Sequence, residues 1–115
     1  LAASGSIEGE RLADAVNKVK SRASDLLVEV EVDHLDQVSP VVDAGADAIL
    51  LDNFSPEEVA EAVQQIRNRA IVEASGGITL ETARKYAESN PHFLSTSATI
   101  QKCSWADLGL DWKED

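Results

Sequence analysis

Four short apolar runs end in chemically distinctive residues at a nearly constant interval, and that interval restricts the fold more than any other feature of the chain. The runs close on Glu31 in Val-Glu-Val-Glu, Asp52 in Leu-Leu-Asp-Asn, Ser75 in Glu-Ala-Ser-Gly-Gly and Ser97 in Ser-Thr-Ser, at steps of 21, 23 and 22 residues. A strand of about five residues, a helix of roughly ten to fourteen and two short connections fill such a step. Each marker therefore falls at the same end of successive βα units. In sheets and barrels built from these units, binding and catalytic groups gather beyond the carboxyl ends of the parallel strands. A single composite site is expected.

The runs between the markers read as alternating helices and strands. Leu12, Val16 and Val19 repeat at helical spacing within Ser6 to Arg22, with Ser6 as the expected cap. Leu26 to Val32 alternates, with Val28, Val30 and Val32 on one face and Glu29 and Glu31 on the other, so the valines should pack under helices while the glutamates face a barrel interior. A helix over Leu35 to Ala44 is interrupted by Pro40, which should kink it or restart it with Ser39 as cap, and Gly45 suits its C-terminus. Ala48 to Leu51 is a continuous apolar run fit for a strand buried on both faces. Ser55-Pro56-Glu57-Glu58 announces the next helix, with Val59, Val63 and Ile66 as its buried stripe. Ala70 to Ala74 is the third strand, Thr79 caps a helix carrying Leu80, Ala83 and Ala87 inward, and Phe93 to Thr96 is the fourth strand. The tail with Trp105, Leu108, Leu110 and Trp112 is expected to dock its apolar residues on another surface, such as that of a subunit neighbour.

These elements predict an α/β fold, part of a βα barrel with parallel strands. An eight-unit barrel takes roughly 200 to 250 residues, so 115 residues supply about half, as one partial barrel domain over 1–115. A start at Leu1 and not at Met predicts a cut or processed chain. The net charge of −11, with 10 basic residues against 21 acidic, disfavours nucleic acid and anionic membranes as partners. Cys103 has no partner thiol, which predicts a reducing, cytoplasmic setting and no catalytic role for that residue. No apolar stretch is long enough to span a bilayer.

The rim residues suggest chemistry. Ser75-Gly76-Gly77 places small residues and free amides just ahead of a helix, where phosphate is attracted, and Ser95-Thr96-Ser97 offers hydroxyls and amides at the neighbouring strand end. Glu29, Glu31, Asp52 and Glu73 lie on strands; carboxylates buried there would cost several kcal/mol unless paired. Arg11, Lys18, Lys20, Arg22, Arg67, Arg69, Arg84 and Lys85 fall on helices or just past them, and only Lys102 is placed to reach the rim. A metal, a substrate that develops positive charge, or basic groups from other sequence is required. His34 and His92 read as a capping residue and a turn residue, and Asn53 as a loop former.

Val28-Glu29-Val30-Glu31-Val32, Gly45 through Glu57, and Glu73-Ala74-Ser75-Gly76-Gly77-Ile78-Thr79-Leu80 closely resemble the quinolinate phosphoribosyltransferase family in order and spacing, and the likeness runs on to Asp107-Leu108-Gly109-Leu110-Asp111. The nicotinate phosphoribosyltransferases share part of the pattern. The resemblance implies transfer of phosphoribose from phosphoribosyl pyrophosphate to quinolinate with decarboxylation, giving nicotinate mononucleotide, pyrophosphate and carbon dioxide in NAD synthesis. It implies that Glu31 and Asp52 hold the ribose hydroxyls and stabilise the developing oxocarbenium charge, that Ser75, Gly76, Gly77, Ser95, Thr96 and Ser97 take the 5′-phosphate, and that Mg2+ rides on the pyrophosphate with no resident metal ligands. Family members usually carry Gly where Ser97 stands. The family's N-terminal domain and its Arg, His and Lys motifs for the quinolinate carboxylates precede the matched region, so the chain is expected to need that missing part and to work as a dimer or larger. The competing expectation is a non-catalytic half barrel that binds phosphate.

Overall fold

The structure, a computed structural model, describes residues 2–95 and 100–102. Helix α1 (Ala2–Arg22) precedes strand β1 (Glu29–Val32); a 3-10 turn (Leu35–Gln37) leads into α2 (Val38–Asp43); then follow β2 (Ala48–Asp52), α3 (Pro56–Ile66), β3 (Ile71–Ser75), α4 (Leu80–Glu88), β4 (Phe93–Ser95) and β5 (Ile100–Lys102). The strands lie side by side in chain order, β1 to β4 all parallel. Consecutive parallel neighbours joined by crossovers of one hand place every connecting helix on the same face of the sheet. The opposite face is left bare, which is the geometry of a barrel wall seen from inside.

Burial follows that division. Val30, Val32, Ile49, Leu51, Val72, Ala74 and Leu94 point from the strands into the core, where Val38, Val41, Val59, Ala62, Ile66 and Ala83 meet them from the helices. The alternation of β1 falls as its valines and glutamates predict: valines buried, glutamates exposed. Strand β2 departs from its expected two-sided burial. Ile49 and Leu51 are fully buried, whereas Ala48, Leu50 and Asp52 on the bare face are only half-buried, because nothing among the described residues covers that face.

Local signals account for most boundaries. Ser55 accepts from the Glu58 amide at 3.1 Å while Glu58 accepts from the Ser55 amide at 2.9 Å, so α3 starts as its capping box and Pro56 dictate. Gly45 follows α2 with φ +102°, the left-handed position expected of it.

Four further expectations are corrected. Helix α1 begins at Ala2, ahead of Ser6, so Ser6 lies within the helix and is not its cap. Pro40 neither kinks α2 nor makes Ser39 a cap: it sits in the first turn, where amides lack intrahelical acceptors anyway, Gln37 occupies the cap position, and the Ser39 hydroxyl donates to Gln65 Oε1 at 3.0 Å. Strand β1 starts at Glu29 and not at Leu26. Leu80 is 53% exposed, because as the first helical residue it lies before the stripe set by Ala83. The four expected strands are parallel, as predicted, and a fifth not expected from the sequence, β5, pairs antiparallel with β4. Thr96, Ser97, Cys103 and the tail from Trp105 to Trp112 lie outside the described residues.

Candidate active site

Strand pairing fixes the bare face row by row. Glu29, Ala48 and Ile71 form its lowest row, and Glu31, Leu50, Glu73 and Phe93 the next. Above these Asp52 pairs with Ser75, and Ser95, which follows the Ala74–Leu94 pair, stands level with Ser75. Glu31, Asp52, Ser75 and Ser95 therefore share one face, toward the carboxyl ends of four adjacent parallel strands. An apolar floor of Ala48, Leu50, Ile71 and Phe93 gives way to a polar rim. A shallow groove between α3 and α4, lined by Pro56, Glu57, Lys85 and Glu88, lies on the helical side, away from this rim.

The turn after β3 is built for close approach. Gly76 has φ +85° and Gly77 φ +73°, conformations that residues with a Cβ adopt only under strain. A Cβ on Gly76 would stand 2.6 Å from Asp52 Oδ1, 2.7 Å from Asn53 Oδ1 and 2.9 Å from the Asn53 backbone nitrogen. The Asp52 carboxylate thus rests directly against the Gly76 backbone. Asn53, itself left-handed with φ 61°, donates its amide to the Ser75 carbonyl at 3.0 Å and closes the two strand ends together. Among the described residues neither Gly76 nor Gly77 finds an acceptor for its amide. Thr79 caps α4 immediately beyond, accepting from the Thr82 amide.

The charges differ from the sequence expectation in one respect. Glu29 and Glu31 are exposed, and Asp52 and Glu73 half-buried, so the open face spares them the desolvation that a closed interior would impose. Among the described residues none of the four has a cationic partner. Lys20 binds Asp47 at 2.5 Å and Arg69 binds Asp43 at 2.8 Å, both far from the rim in the sense that Asp47 precedes β2 and Arg69 precedes β3, at the opposite strand ends. Lys20, and the Val28 amide that Asp47 also accepts from at 2.8 Å, hold the Asp47 carboxyl below its ordinary range. Glu73 accepts a hydrogen bond from the Ser95 hydroxyl across the β3–β4 boundary.

The two histidines are structural. His92 Nδ1 accepts from the Val72 amide at 2.9 Å and its own amide returns to the Val72 carbonyl at 2.8 Å, which secures the entry to β4. His34 opens the 3-10 turn, and its amide and that of Asp33 both donate to Oε1 of Gln37, a side chain only 1% exposed. Neither Gln37 nor the Glu73–Ser95 pair stands out in the sequence. A Gln among the apolar residues Leu35, Val38 and Val41 was the available sign of the first; the equal height of residues 73 and 95 emerges only from strand register.

Magnesium takes oxygen ligands, and Glu31 and Asp52 are carboxylates on the open face. Among the described residues no three His, Cys, Asp or Glu side chains cluster into a cage.

Residues 2–111 match the family model described as quinolinate phosphoribosyl transferase, C-terminal domain. The chain belongs to this family. Among quinolinate phosphoribosyltransferase relatives, the nicotinate-nucleotide pyrophosphorylase [carboxylating] of Mycobacterium leprae is 37% identical over 103 residues, 87% of this chain and 36% of that protein. The rat protein of the same description is 34% identical over 112 residues, 94% of this chain and 36% of its own length. The solved nicotinate-nucleotide pyrophosphorylase from Francisella tularensis superposes with a TM-score of 0.69 at 33% identity, covering 78% of this chain and 36% of that one. The chain therefore spans little more than a third of the length of these relatives.

Proposed function

We propose that this chain supplies the phosphoribosyl-binding half of a carboxylating nicotinate-nucleotide pyrophosphorylase, an enzyme that joins quinolinate to phosphoribosyl pyrophosphate and releases nicotinate mononucleotide, pyrophosphate and carbon dioxide in NAD synthesis. The observation that carries this reading is the placement of Glu31, Asp52 and the Ser75-Gly76-Gly77 turn on one bare sheet face in a chain of this family.

As pyrophosphate departs, positive charge develops at C1 of the ribose. Carboxylates held in place before the reaction lower such a barrier without reorganising. Asp52 is held by its seat on Gly76, and Glu31 stands on the adjacent strand one row below; both accept from ribose hydroxyls and face the growing charge. The amides of Gly76 and Gly77 and the Ser75 hydroxyl, with Thr96 and Ser97, hold the 5′-phosphate at the start of α4, where amide donors and the helix dipole favour an anion. Glu31 and Asp52 would be the carboxylates of this chain to offer oxygen ligands to magnesium arriving on the pyrophosphate, which would supply neutralisation of the leaving group's charge. Cations for the quinolinate carboxylates come from sequence preceding the matched region. Catalysis takes place in a dimer or larger assembly in the cytoplasm.

The test is turnover of quinolinate and, separately, nicotinate with phosphoribosyl pyrophosphate and magnesium by the natural full-length polypeptide. Formation of nicotinate mononucleotide from quinolinate with release of carbon dioxide is expected. Turnover of nicotinate alone, or binding of phosphoribosyl pyrophosphate without turnover of either acceptor, would overturn the reading in favour of a nicotinate enzyme or a binding module.

A further inference from the structure

Ser95 and Glu73 project from neighbouring strands onto the bare face, 22 residues apart in sequence, and the Ser95 hydroxyl donates to Glu73 Oε2. A hydroxyl carries one proton, and an ionised carboxylate only accepts. With that proton directed at Glu73, Ser95 presents nothing but lone pairs to any other anion. Yet Ser95 stands level with Ser75, at the height where the glycine turn offers its free amides. Glu73, two residues before Ser75 on the same face, is a negative charge just below that turn.

From this geometry we infer that Ser95 is a positioning residue: it serves the phosphoribosyl site by engaging Glu73, and it does not touch the phosphate. The inference deepens the phosphoribosyl reading above and rests on it. Engagement does two things. It supplies a donor to a carboxylate that has no cationic partner among the described residues, which draws the charge of Glu73 toward β4 and away from an arriving phosphate. It also joins the carboxyl ends of β3 and β4, just below the Ser75-Gly76-Gly77 turn. The phosphate is then gripped by the glycine-turn amides and the Ser75 hydroxyl, with Ser95 behind them.

Three variants of the natural full-length polypeptide test this by steady-state kinetics with quinolinate and phosphoribosyl pyrophosphate. Ser95→Ala frees the Glu73 carboxylate and should raise KM for phosphoribosyl pyrophosphate about tenfold, the scale of one lost hydrogen bond to a charged group, with kcat changed less than about threefold. Glu73→Gln keeps an acceptor for Ser95 and should leave both constants within about threefold of the unaltered protein. The double variant, which removes the hydroxyl and the charge together, should recover most of the KM lost in Ser95→Ala. A direct phosphate contact by Ser95 predicts the reverse, a raised KM that the second substitution does not restore, and that result overturns the inference. So does an unchanged KM in Ser95→Ala, or a large fall in kcat in Glu73→Gln, which would make Glu73 a group that meets the substrate. Absence of turnover in the unaltered polypeptide is a separate outcome that removes the enzymatic reading and this inference with it.

Discussion

At the scale of single residues, the rim depends on positions where almost no alternative side chain fits. Gly76 is the sharpest case, since any Cβ there meets Asp52 and the Asn53 backbone well inside contact distance and φ is +85°. Gly76→Ala should destabilise the fold by about 1 to 3 kcal/mol, measured by urea unfolding, and should also displace Asp52, so the affinity for phosphoribosyl pyrophosphate falls with it. Gln37 is a second such position. Its buried amide oxygen satisfies two main-chain donors at the exit of β1, and Gln37→Leu should cost about 1 to 3 kcal/mol because those donors lose their acceptor. Glu31 and Asp52 behave oppositely. Neither has an intramolecular cation among the described residues, so Glu31→Gln and Asp52→Asn should leave the melting temperature within a few degrees while lowering kcat about a hundredfold or more if they stabilise charge in the transition state.

At the scale of elements, the helices are held by end signals more than by intrinsic propensity. Helix α3 has only 11 residues, a length that is marginal in isolation. Its reciprocal Ser55–Glu58 bonds and the burial of Val59, Ala62 and Ile66 make up the difference. Ser55→Ala should cost about 1 kcal/mol, and Ser55→Asp should restore most of it, as read from thermal midpoints. Such caps are written in a few adjacent residues, and for that reason α3 and α4 are legible in the sequence. The interior of α2 was less so: whether Pro40 breaks a helix depends on its distance from the first turn, and that start is fixed by the side chain of Gln37 reaching back to residues 33 and 34.

At the scale of the whole molecule, the sequential order of parallel strands divides the sheet into a helix-covered face and a bare face. The opposite strand ends carry a tie between distant parts. Lys20 of α1 reaches Asp47 ahead of β2, and Asp47 also accepts from Val28 ahead of β1. The Asp47 carboxyl is lowered from its ordinary 3.8, first by the Lys20 bond and then by the Val28 amide. A group whose folded pKa is depressed adds stability above its unfolded pKa and loses it as pH falls through the folded one. The difference in thermal midpoint between the unaltered protein and Asp47→Asn should therefore be constant near neutrality and shrink below about pH 4; a gap that persists or widens in acid would exclude this tie as the cause.

The spacing of strand ends, the alternation in Val-Glu-Val-Glu, the capping boxes and the paired glycines determined the order and type of the elements, because each is a local preference acting over a few residues. They also placed Glu31, Asp52 and Ser75 at equivalent ends of successive units. Tertiary structure alone decided the rest: that these side chains share one bare face, that Leu80 turns outward, that β5 runs antiparallel, and that the Ser95 hydroxyl is committed to Glu73. Those outcomes depend on register between strands 19 to 23 residues apart and on which face the helices cover, and no local preference encodes a distance across a sheet.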